Sequence, residues 1–93
     1  SRPLDDAKLG LALRELSPEE KSRLDVEAGL IVESVSGPAA KAGIQRGDVI
    51  LALNREPLKS VDQLKSLVKK TDKTIALLIQ RNDMRTYVPV FIG

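Results

Sequence analysis

Apolar residues along this chain fall into short blocks set apart by clusters of glycine, proline, asparagine and serine. Leu9, Leu11 and Leu13 alternate with Gly10, Ala12 and Arg14, the period of two that predicts a strand with one buried face. Leu30, Ile31, Val32 and Val35 predict a second strand, which Ser36-Gly37-Pro38 ends. Val49, Ile50, Leu51 and Leu53 predict a third, bounded by turns at Gln45-Arg46-Gly47-Asp48 and Asn54-Arg55-Glu56-Pro57. Residues 74–80 are apolar on both faces, and residues 86–92 return after a turn at Arg81-Asn82-Asp83-Met84, so these two pair as an antiparallel hairpin. Pro89 has no N–H to give to a ladder, which puts the last strand at an edge or at a bulge.

Between the strands the spacing turns helical. Ser17-Pro18-Glu19-Glu20 carries a cap, a first-turn proline and a glutamate three residues after the cap, the start of a short helix running to about Leu24. In Pro38-Ala39-Ala40-Lys41-Ala42-Gly43-Ile44 the proline opens one helical turn and Gly43 stops it. Ser60 caps the main helix with Gln63 as its reciprocal partner; Val61, Leu64, Leu67 and Val68 form its stripe, and Lys69 and Lys70 suit its negative end. Residues 1–7 are polar and without period, and read as a linker. The whole predicts an α+β domain over residues 8–93: a small antiparallel barrel or sandwich of about five to six strands, with one main helix and one or two short ones.

Composition narrows the chemistry. The 93 residues make one small domain, with 42% hydrophobic and 30% charged residues. There is no cysteine and no histidine, which removes disulfides, thiolate chemistry, Cys/His metal sites and imidazole-based triads. Tyr87 and Phe91 are the only aromatic residues, too few for a base-stacking platform. A net charge of +2, evenly scattered, argues against nucleic acid, and no apolar run is long enough to span a bilayer. Ser66 and Lys69 have Ser-x-x-Lys spacing, but the companion Ser-Asp-Asn and Lys-Thr-Gly motifs are missing. The carboxylate pairs Asp5/Asp6 and Glu19/Glu20 lie in polar surroundings that raise no pKa. No nucleotide-binding glycine motif occurs. The expectation is a binding module with no catalytic residue, no metal and no cofactor.

The order of elements, together with residues 37–54 and the helix and hairpin from Ser60 to Tyr87, resembles a PDZ domain of the bacterial type. More narrowly it resembles the C-terminal PDZ domains of the Do-like (HtrA/Deg) periplasmic serine proteases. The resemblance implies that Lys8-Leu9-Gly10-Leu11 is a carboxylate-binding loop whose backbone amides form an anion nest. It also implies that an extended peptide adds as a strand beside residues 11–14, a reading that needs this margin of the sheet to be open. The implied peptide-binding residues are Leu9, Gly10, Leu11, Ala12, Leu13, Val61, Lys65 and Val68, with Leu64 and Leu67 facing the core and Lys8 a candidate helper for the carboxylate. On this reading Gly10→Val removes peptide binding and leaves the fold intact. Val61 stands where many PDZ domains carry histidine, which implies an apolar preference two residues before the peptide's end.

The partners so implied are C-terminal or unfolded polypeptide segments, an upstream protease domain and sister subunits of a homo-oligomer, in the periplasm and in protein quality control. A rival reading is an assembly domain with a closed groove. Another keeps the PDZ domain but places it in a different envelope protease or a secretion protein.

Overall fold

The structure, a computed structural model, describes residues 4–6, 10–70 and 74–91. In chain order the elements are β1 (Leu4–Asp6), β2 (Leu11–Glu15), α1 (Pro18–Leu24), β3 (Leu30–Val35), α2 (Gly37–Lys41), β4 (Val49–Leu53), β5 (Glu56–Pro57), α3 (Val61–Lys70), β6 (Thr74–Arg81) and β7 (Met84–Phe91). All pairings are antiparallel, in the order β1-β2-β3-β4-β6-β7, with the two-residue β5 beside β4. The antiparallel sheet with one main helix and two short ones matches the expectation. The sheet is open rather than a closed barrel, since β1 and β7 end it and do not pair. Residues 4–6, expected within a linker, form β1.

Local chemistry accounts for the elements. At α1, Ser17 Oγ accepts from the Glu20 amide (3.2 Å) and Glu20 Oε1 accepts from the Ser17 amide (2.9 Å), a reciprocal cap that satisfies two otherwise orphaned donors. At α3, Ser60 Oγ accepts from the Gln63 amide at 3.1 Å, while Gln63 Oε1 accepts from the Lys59 amide at 2.8 Å. The reciprocal bond thus reaches one residue further back than expected. Gly43 ends the α2 turn at φ +96°, a left-handed value that a residue with a Cβ adopts at a cost.

The core is wholly aliphatic. Leu11 and Leu13 of β2, Leu30 and Val32 of β3, Ile50 and Leu53 of β4, Ile75, Leu77 and Ile79 of β6 and Val90 of β7 meet Val61, Leu64 and Val68 of α3. Both aromatic residues and the one methionine stay outside: Met84, Tyr87 and Phe91 are 74%, 56% and 72% exposed on β7. Packing among the described residues therefore rests on aliphatic side chains. α3 lies beside β2, and its buried face shares the core with Leu11 and Leu13.

Candidate functional site

The predicted site centres on β2, and several contacts fix that strand. Arg14 extends from it to Glu20 at the start of α1, through hydrogen bonds of 2.8 and 2.9 Å, and to Glu33 of β3 at 3.3 Å. The Arg14 guanidinium, aided by the Ser17 amide, holds the Glu20 carboxyl down at about 2, so Glu20 stays ionised and is unsuited to general-acid work. Between Ala12 and Leu13 the register with β3 shifts: Ala12 faces Ser34 and Leu13 faces Val32. A bulge of this kind bends its strand and re-aims the neighbouring side chains.

Gly10 opens β2 with φ +81°, and its carbonyl accepts a 2.7 Å hydrogen bond from the Ser36 amide. A Cβ placed on Gly10 would overlap the Ser36 carbonyl. Backbone packing against the turn before α2 therefore demands glycine here, whatever else the loop binds. Gly10→Val would strain the fold as well as the loop, so the expectation of an intact fold is corrected. Leu9 and Lys8 lie outside the described residues.

The other predicted residues are brought together. Leu11 and Leu13 are fully buried and Ala12 is half-buried; on α3, Val61 and Val68 are buried, Lys65 is half-buried, and all but Ala12 and Lys65 belong to the core cluster. Leu64 is fully buried, as expected, whereas Leu67 is half-buried at the edge of the core. The margin of β2 is not open. One of its edges pairs with β3, and the other pairs with β1 through Leu4↔Leu13, Asp5↔Ala12 and Asp6↔Leu11. The open-margin expectation is corrected: a strand is already there, and it comes from the chain itself.

A groove of about 690 Å³ lies elsewhere, with Leu51, Leu78, Arg85 and Tyr87 in its wall. None of the predicted site residues lines it. Ser66 and Lys69 are both exposed on α3, in surroundings with nothing to activate a serine. Among the described residues no cluster of acidic side chains is placed to hold a metal, and no helix is long and apolar enough to cross a membrane.

One structural pair escaped the sequence reading. Asp48, only 2% exposed, accepts from Arg81 at 2.9 and 2.6 Å and from the Gln45 amide at 2.9 Å, while Arg81 also donates to the Gly43 carbonyl at 3.0 Å. Burial pushes the Asp48 carboxyl up, but the Arg81 hydrogen bonds, the Gln45 amide and the Arg81 charge outweigh it and hold the group below the usual carboxylate range. The pair fastens the β6–β7 hairpin to the turn before β4. The residues are 33 apart in sequence, and no local motif signals such a pairing.

A family model for the PDZ domain matches residues 31–81, more than half of the chain. The chain belongs to the PDZ domain family. Among curated proteins, this PDZ domain is 35% identical over 71 residues to the periplasmic serine endoprotease DegP of Salmonella typhimurium, an alignment covering 74% of the chain and 15% of that protein. It is 37% identical over 83 residues to a probable DegP-like periplasmic serine endoprotease of Hahella chejuensis, covering 86% of the chain and 18% of the relative. The chain thus spans less than a fifth of the length of these relatives. Among solved structures it superposes on the HtrA3 PDZ domain bound to a phage-derived ligand (FGRWV), with TM-score 0.79, 25% identity and coverage of 89% of this chain and 81% of that one. It also superposes on the HtrA-type protease AlgW with tripeptide, with TM-score 0.80, 28% identity and coverage of 99% and 31%.

Proposed function

We propose that this PDZ domain is a non-catalytic, peptide-engaging module of a periplasmic serine endoprotease of the DegP type, and that it takes an extended polypeptide segment as an added strand along β2. The observation that carries this reading is the outer edge of β2, which is suited to strand pairing and which a peptide can take only where β1 gives it up. It accepts an antiparallel strand, β1, in register over three residue pairs, beside α3 and next to the left-handed turn at Gly10. Strand addition draws its affinity from main-chain hydrogen bonds and its selectivity from alternate side chains. The HtrA3 PDZ domain with its phage-derived ligand and AlgW with tripeptide share the fold, which supports peptide engagement by this domain.

In the parent protein the catalytic residues belong to a protease domain outside this chain. The module's role is to engage substrates with free apolar C-termini or unfolded apolar stretches and to present them, tether sister subunits or gate the protease. The residues that face the incoming strand are Leu9, Gly10, Leu11, Ala12 and Leu13 from the loop and β2, with Val61, Lys65 and Val68 from α3. Buried Val61 favours an apolar contact over a hydrogen bond at its position in the groove.

Titration with FGRWV and with other pentapeptides ending in Val, Leu or Phe, each as free acid and as amide, tests this. The expected dissociation constant is on the order of 10–100 μM for the free acid, since a short peptide buries little area and loses much freedom. Amidation, which removes the anion, is expected to weaken binding at least tenfold. Indifference to amidation would remove the carboxylate-loop assignment. A second reading, an assembly domain that reads no peptide, is favoured by the pairing of β1 on the edge in question, and absence of binding below millimolar, also in the chain lacking residues 1–7, would favour it over peptide capture.

A further inference from the structure

We infer that β1 is an intramolecular ligand of the peptide groove, and that foreign peptides bind only by displacing it. This rests on the proposed use of the β2 edge and adds its control.

The argument is one of edges. A strand offers two rows of backbone hydrogen-bonding groups. For β2, one row is taken by β3 and the other by β1, so no third strand can pair with it while β1 is in place. Direction matters as well. β1 runs antiparallel to β2, from Leu4 opposite Leu13 to Asp6 opposite Leu11, so its C-terminal end points toward Gly10. A peptide whose free carboxylate sought the Gly10 turn would run in the same direction. β1 therefore mimics such a ligand, without the free carboxylate in which the ligand would end. The segment also carries the composition of a replaceable strand: three residues long, with Asp5 and Asp6, a residue type depleted in strands. A pairing this short on the edge of a sheet is marginal by itself.

When the binding-competent form is a fraction of the population, the apparent dissociation constant is the intrinsic one divided by that fraction.

The test uses three forms of the chain: intact, lacking residues 1–7, and carrying Asp5→Pro with Asp6→Pro, which removes two strand amides. Each is titrated with labelled FGRWV and the same panel of apolar pentapeptides, with thermal unfolding as the folding control. The expected result is affinity about tenfold higher in the truncated form than in the intact chain, with the proline form close to the truncated one, and faster amide exchange at residues 11–14 in both. Equal affinity in all three forms overturns the intramolecular ligand and leaves the proposed function standing. Weaker binding after truncation also overturns it, because β1 would then be the template on which peptides add. If the truncated form folds and binds none of the peptides, the proposed function itself falls, and the inference with it.

Discussion

The two ends of the sheet are built on opposite plans. At the β2 end, Leu11 and Leu13 are fully buried, Arg14 fastens the strand to α1 and β3, and the last strand, β1, is three residues long. At the β7 end the strand has eight residues, most of them exposed, with both aromatic side chains and the methionine facing solvent. Edge strands invite pairing with foreign chains, and natural proteins blunt them. β7 is blunted by Pro89, which cannot donate, and by Arg85. β2 is covered by β1, which on our proposal is removable. The lesson is that exposure alone does not locate a strand-accepting edge. In the proposed function it is the edge anchored to a helix and preceded by a glycine turn that takes a partner.

Substitutions break this contrast in a graded way. Leu13→Ala, in the fully buried face of β2, is expected to cost about 3 kcal/mol of folding stability by chemical denaturation. Gly10→Val is expected to cost a similar amount, since a left-handed backbone and an overlap with the Ser36 carbonyl act together. A fold as stable as the parent's would contradict the packing role given to Gly10. Asp48→Asn, which removes the charge paired with Arg81, is expected to cost about 2 kcal/mol. Phe91→Ser and Tyr87→Thr, on the exposed side of β7, are expected to change stability by less than about 0.5 kcal/mol. A large loss there would mean that β7 is covered in solution.

Acid sharpens the same comparison. The folded-state pKa values of Asp48 and Glu20 are lowered, so the stability these groups contribute is fully present above the unfolded carboxylate value, about 4. It is lost as pH falls from about 5 through their folded values. Asp48→Asn is therefore expected to flatten the stability curve in that window and to leave its slope near pH 7 unchanged.

Much of this was legible before any coordinates. Ser17-Pro18-Glu19-Glu20 announced α1, Ser60 and the stripe from Val61 to Val68 announced α3, and alternation announced β2. Each depends on neighbours within a turn or two of chain, where spacing carries the information. What stayed hidden depends on distant partners. β1 has no apolar period and exists only because β2 offers it an edge. β5 occupies residues read as a turn. The Asp48–Arg81 pair joins residues 33 apart, and the bulge opposite Glu33 is a property of two strands together. Gly10 was placed in a carboxylate-binding loop by resemblance, whereas the group packed closely against it is the backbone at Ser36.

The most direct test is a map of backbone amide chemical shifts as FGRWV is added to the chain lacking residues 1–7. The account predicts the largest changes at Gly10–Leu13 and along the Val61–Val68 face of α3, with β7 nearly silent. Changes centred on Tyr87–Phe91, with β2 unmoved, would contradict it.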